Sequence, residues 1–229
     1  MAPEKLTREA VVEQALALGD EEGVDAVTIR RLAGRLGVTP MALYWHFKHK
    51  DELMSALAEH AMSGVTAELS PGDPWRVRLR VMVEAAVRVL RDHPCLPDLL
   101  TKLPDKHDVD SFRRATEAAL DVLSEAGFTL REGFHISSYL LNGAIALVKG
   151  QPVCPSDASD AEEAEARRQA RLRMESLPAG RFPRMVAYGA TYAEQPDIDR
   201  YYTFGVDLLL AGVEAMAERR TGPSGEPAG

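Results

Sequence analysis

The chain has 229 residues, 45% of them hydrophobic but only 6% aromatic, and its formal net charge is −8. That length holds one large helical domain or a small domain joined to a larger one, and no apolar run approaches the roughly 18 residues that a membrane-crossing helix needs. Cys95 and Cys154 stand far apart and form no CxxC or Cys/His ligand pattern, which argues against a disulfide framework and a Cys-based metal site.

The opening MAPEKLTREA lacks the apolar core of a signal peptide, so the chain is expected in the cytoplasm. Residues 7–22 read as a first amphipathic helix whose apolar face is Val11, Val12, Ala15, Leu16 and Leu18. Two short helical patterns follow in TIRRLAGRLGVTPMALYWHFKHK, residues 28–50. Thr28 suits the N-cap of the first, where its hydroxyl meets free amides, and Ile29, Leu32, Ala33 and Leu36 recur at helical spacing. Gly37 suits the left-handed residue that ends such a helix. Thr39 caps the second, with Pro40 in its first turn, where a missing N–H costs nothing. This is the pattern of a helix-turn-helix, whose second helix enters the major groove of DNA.

Charge distribution agrees. No carboxylate lies between Asp25 and Asp51, whereas Arg30, Arg31, Arg35, Lys48 and Lys50 are basic and His46 and His49 sit among them. A local basic face steers a duplex even when the whole chain is acidic. Asp51 is expected to cap a fourth helix through Leu53, Met54, Leu57, Ala58 and Ala61 to about residue 67. Pro71, Gly72 and Pro74 break the pattern and mark a boundary. Residues 1–67 therefore read as a helix-turn-helix domain and residues 75–220 as a larger helical domain.

Within the larger domain, residues 75–91 predict a long helix ended by Pro94 and Pro97. A second spans about 109–126 and closes at Gly127. A third, apolar helix begins after Phe128-Thr129 and ends near Gly150. Residues 152–160 read as a loop, 162–175 as a charge-laced, exposed and partly mobile helix, and 178–183 as another interruption. Residues 198–219 form the last helix, and the tail from 221 to 229 is expected to be disordered. With no strand pattern anywhere, the fold class is all-α: an N-terminal three-helix helix-turn-helix domain plus a larger C-terminal helical domain.

The residues Thr28-Ile29-Arg30-Arg31-Leu32-Ala33, Leu36-Gly37-Val38, Leu43-Tyr44-Trp45-His46-Phe47, Lys48, Lys50 and Leu53 resemble the DNA-binding domain of TetR-family regulators, and Tyr44-Trp45-His46 is most similar to the tetracycline-repressor type. Further on, residues 123–130 resemble that type where a helix ends and the first dimerisation helix begins, and residues 204–214 resemble its last helix, which also pairs in the dimer. The resemblance implies a homodimer paired through a four-helix bundle. Small residues (Gly143, Ala144, Ala146, Gly205, Ala211, Gly212) would let helix backbones approach.

It also implies roles. Tyr44, His46 and Lys50 would hold the DNA backbone, with Thr28 and Arg30 supporting the same contact and Lys48 beside them. Thr39, Pro40, Met41 and Ala42 would read bases, with Trp45 contributing. These side chains are mostly apolar, which favours thymine methyls over bidentate guanine contacts. The tetracycline-repressor type has Gln, Pro and Thr where this chain has Pro40, Met41 and Ala42, so a different operator is expected, still palindromic. Arg31 and Arg35 read either as phosphate contacts or as a solvated helix face.

The effector cavity is expected inside residues 75–147, with candidate lining residues Trp75, Met82, His93, Phe112, Phe128, His135, Tyr139 and Asn142. His135 and Asn142, seven positions apart on one helical face, stand out because buried polar groups want partners. Near the places where the family chelates magnesium-tetracycline stand Thr66, Val81, Met82, Ala85 and Ala86, which cannot hold a metal-chelated drug. A small hydrophobic effector without cofactor or metal is expected. An enzyme is disfavoured, since no GxSxG, phosphate loop or HExxH occurs, and His46, His49, His60, His93, His107 and His135 lack ligand spacing. The alternatives are a regulator without an inducer, or an activator.

Overall fold

The computed structural model describes residues 6–66, 69–152 and 159–221. Among them every regular element is helical. The chain opens with α1 (Arg8–Glu22), a 3-10 turn (Val24–Ala26), α2 (Ile29–Leu36), α3 (Pro40–Tyr44) and α4 (Lys50–Met62). There follow α5 (Trp75–Asp92), α6 (Leu96–Lys102), α7 (Asp110–Glu125) and α8 (Leu130–Lys149), then α9 (Asp160–Glu175), α10 (Pro183–Gly189) and α11 (Ile198–Thr221).

The caps follow from the sequence. The Thr7 hydroxyl oxygen accepts from the Ala10 N–H at 3.1 Å and starts α1. Gly37, at φ 66° and ψ 27°, ends α2 in the left-handed region where a Cβ is costly. Thr39 accepts from the Ala42 N–H and Pro40 opens α3. One cap differs from expectation: Nδ1 of His49, not Asp51, accepts from the Glu52 N–H at 3.3 Å, so α4 begins at Lys50. α4 also stops earlier than the apolar spacing suggests, at Met62; residue 67 lies outside the described residues.

α1 packs against α2 and α4, and α2 against α3. Their shared core is Val11, Ala15, Leu16, Leu32, Leu43, Phe47, Leu53 and Leu57, all essentially sealed from water. Each such Leu or Phe contributes roughly 1.5–3 kcal/mol by burial, which fixes a helix as short as α3 that could not stand alone. α5 packs on α7 and α8, and α7 on α8, while α4 also touches α6 and α7. Gly143 of α8 faces Leu209 of α11, whose Cδ2 would collide with a Cβ there. Its small size therefore serves close packing within the chain. Arg78 is buried on α5 and paired with Glu125 and Asp121 of α7, as a buried charge must be.

Two elements were not foreseen. Pro97 does not end a helix but opens α6, and Pro183 opens α10. By its contacts the described chain forms two compact units. One runs to Lys149 and resumes at Val206; the other lies within Gly150–Gly205. In the second unit the Ser159–Glu162 capping box starts α9, none of whose residues is buried, and α10 packs on it through Gly189. Cys154 and the 222–229 tail lie outside the described residues.

Candidate nucleic-acid interface and ligand cavity

α3 is five residues long and divides sharply. Leu43 and the following Phe47 are fully buried, while Thr39, Pro40, Met41 (67% exposed), Tyr44 and Trp45 (86% exposed) face solvent. Ala42 and His46 are half-buried beside them. An apolar surface of Met41 and Trp45 gains nothing from standing in water, so its exposure marks a surface that meets something. Thr28 is half-buried at the start of α2; Arg30, Lys48 and Lys50 are exposed around α3. Arg31 and Arg35 have another occupation. Arg31 pairs with Glu22, and Arg35 holds Glu21 at 2.5 and 2.6 Å, so both tie α2 to the end of α1.

A clamp behind this surface was not foreseen. The Arg8 guanidinium donates to the His46 carbonyl at 2.5 Å and to Glu52 at 3.1 Å, and lies 4.3 Å above the Phe47 ring. The other Glu52 oxygen accepts from the Lys48 N–H at 2.8 Å. That amide and Arg8 hold the Glu52 carboxyl below the usual carboxylate range. Residues 46–48 are thereby fixed from beneath. No periodicity announces it; Glu52 is one acid in a first helical turn, and Arg8 is far off in sequence.

A cavity of about 310 Å³ opens among α4, α5, α7 and α8. Its walls are mainly apolar, with Met62 at the end of α4 and Val65 after it, Met82 and Val83 from α5, and Ala119 from α7. Three rings meet on it: His107 lies edge-on to Phe112, with centroids 5.6 Å apart, and stacks on Phe134 at 5.9 Å and 17°. Nδ1 of His107 sits 2.9 Å from Asp105 Oδ1.

Of the residues expected at this cavity, Met82, Phe112 and Asn142 line it. The others do not. His93 Nδ1 lies 2.9 Å from Asp20, whose second oxygen accepts from the Cys95 N–H at 3.1 Å, so it fastens the α5–α6 corner to α1. Buried Cys95, its thiol pushed up to about 12 by desolvation, fills space against Gly19. Trp75 is half-buried under Arg76, and Phe128 is buried beneath Arg220. His135 and Tyr139 (73% exposed) face outward on α8, and Asn142, though on the cavity, is exposed. The expectation of buried polar partners at 135 and 142 is corrected: both side chains are exposed, and of the two only Asn142 borders the cavity. His107 and Phe134 were missed as lining residues. The signal available was the close Asp105–His107 spacing beside Pro104, which reads as a turn rather than a site.

Exposed on α11 are Leu208 (67%), Ala211, Gly212 and Met216, the apolar outer face of that helix. No helix among the described residues is long and apolar enough to cross a membrane.

Comparison with known proteins adds independent findings. Residues 11–57 match the family model described as bacterial regulatory proteins, tetR family, and residues 69–217 the model of a tetracyclin repressor-like C-terminal domain. The chain is 30% identical over 225 residues to the class C tetracycline repressor protein of Escherichia coli, covering 93% of this chain and 92% of that one. It is 29% identical over 227 residues to the HTH-type transcriptional repressor DrrR1 of Streptomyces coeruleorubidus, covering 96% and 81%. Among solved structures it is similar to the TetR family protein ActR of Streptomyces coelicolor in complex with actinorhodin, with TM-score 0.74, 25% identity and coverage of 93% and 99%.

Proposed function

The chain belongs to the tetR family of bacterial regulatory proteins, ligand-responsive transcriptional regulators, and from that membership we propose that it is a cytoplasmic repressor, not an enzyme, that binds a palindromic operator as a homodimer and is released by a small hydrophobic effector. One observation carries this reading. α4 begins with Lys50, beside the exposed α3 surface, and ends with Met62 on the cavity wall. Thirteen residues of helix, about 20 Å long at 1.5 Å per residue, join the two sites through one rigid element. A molecule that fits the cavity in only one setting of α4 shifts the position of Lys50, which is the differential affinity that switching requires.

In this reading residues 1–67 serve DNA and residues 75–220 serve effector and partner. Tyr44, His46, Lys48 and Lys50 hold phosphate, with Thr28 and Arg30 in support. Thr39, Pro40, Met41, Ala42 and Trp45 meet base edges. The outward faces of α8 (Tyr139, His135) and α11 (Leu208, Met216) cover one another in the dimer, whose two-fold axis the operator mirrors. An apolar cavity is what separates this reading from that of a regulator without an inducer.

The test is a selection from random duplexes with the purified protein, repeated with hydrophobic and aromatic compounds. Enrichment of a palindrome that one compound abolishes is the expected result. Enrichment that no compound disturbs contradicts an effector, and no enrichment contradicts DNA binding.

A further inference from the structure

The polar groups on the cavity wall are unequal in what they can still offer. Thr116 already donates its hydroxyl proton to the Phe112 carbonyl, and Ser137 donates to the Phe134 carbonyl, both at 2.9 Å. Each keeps lone pairs towards a ligand. Asp105 accepts from the His107 backbone N–H at 2.8 Å and from its ring, which hold its carboxyl below the usual range. An ionised carboxylate only accepts, so Nδ1 must carry the hydrogen in that pair. In the neutral imidazole the other nitrogen, Nε2, is then an acceptor. Among the lining residues Thr116, Ser137, Asp105 and His107 thus share one sign. A ligand that suits them brings its own donor.

The walls say what carries that donor. Phe112, His107 and Phe134 supply faces and edges at aromatic stacking distance, and Met62 and Met82 supply adaptable thioethers that favour ring contacts. Asn142, Ser138 and Lys106 add groups able to serve a carbonyl on the same ligand. Resting on the effector reading above, we propose that the effector is a flat aromatic molecule bearing a phenolic hydroxyl, and that His107, oriented by Asp105, selects it by accepting that hydroxyl at Nε2.

The experiment uses the full chain and calorimetric titration with two probes, naphthol and its methyl ether, which share the ring and differ in the donor. The native protein is expected to bind naphthol several-fold more tightly, the net worth of one hydrogen bond to a half-exposed imidazole. His107→Phe keeps a ring in place and is expected to erase that preference while the ether still binds. Asp105→Asn, whose amide can donate as well as accept, frees the tautomer and is expected to reduce the preference without abolishing binding. Circular dichroism confirms that each variant is folded. Equal binding of the two probes by the native protein, or a preference that survives in His107→Phe, overturns the assignment and leaves the cavity reading intact. Binding of neither probe also overturns it, whatever the compound screen returns. Naphthol binding that leaves the selected duplex bound supports His107 and contradicts the effector reading instead.

Discussion

Lys50 stands exposed in the first turn of α4, four residues after the half-buried His46 and six after the exposed Tyr44. A cation there meets phosphate without reading sequence, whereas Met41 on α3 offers an apolar tip suited to a base edge. Lys50→Ala is expected to weaken binding to all duplexes about equally and to lower the salt slope by about one. Met41→Ala is expected to alter sequence preference more than affinity. Anisotropy titrations across salt concentrations and a repeated duplex selection distinguish the two. Glu52 gives a pH dependence. Its carboxyl is held low by the Lys48 N–H and by Arg8, so its contribution is complete above the ordinary carboxylate range and lost as pH falls through the depressed folded value. The carbon chemical shift of its carboxyl is expected to titrate below that range, and an ordinary midpoint would contradict the clamp. Replacing it by Gln is expected to remove that acid limb and to weaken operator binding, since residues 46–48 lose their support.

The helices differ in how far their sequences announce them. α1, α5, α7, α8 and α11 carry long apolar periodicity and clear stops such as Gly127 (φ 88°), and they form where expected. α6 and α10 are seven residues each with a proline in the first turn, which also reads as a breaker; for α6, packing around buried Leu96, Leu99 and Leu100 decides for a helix. The exposed residues of α3 were legible because exposure there follows from its own period. The cavity was legible only in part, because Phe112 and Phe134 come together through the crossing of α7 and α8 and not through spacing. Which face of α8 is outward decides the fate of His135 and Tyr139, and the sequence pattern alone leaves both faces apolar enough. That outer face, with Leu208 on α11, yields its own prediction. Leu208→Glu is expected to give a folded monomer by sedimentation and to lose operator binding by well over tenfold, because a half-site alone holds too few phosphates. A Leu208→Glu protein that remains dimeric would contradict the assignment of this face.

Across the whole molecule, the sequence carries no carboxylate between Asp25 and Asp51, and with Arg31 and Arg35 paired to Glu22 and Glu21 a chain of net charge −8 still exposes Arg30, Lys48 and Lys50 around α3. α1 is tied to α2 through Arg31 and Arg35 and to the α5–α6 corner through Asp20 and His93, while the 3-10 turn after α1 is tied to the end of α6 by the Asp25–Lys102 pair at 2.6 Å. With α4 running from beside α3 to the cavity wall, the proposed DNA surface is expected to move with what the cavity holds. Coupling between two sites is reciprocal: a ligand that weakens DNA binding is itself weakened by DNA to the same factor. The most direct measurement is therefore the affinity of the active compound, or of naphthol, with and without saturating operator duplex. Weaker binding in the presence of the duplex, by the same factor as the compound lowers operator affinity, is the expected result. An affinity indifferent to the duplex would contradict a ligand-released repressor.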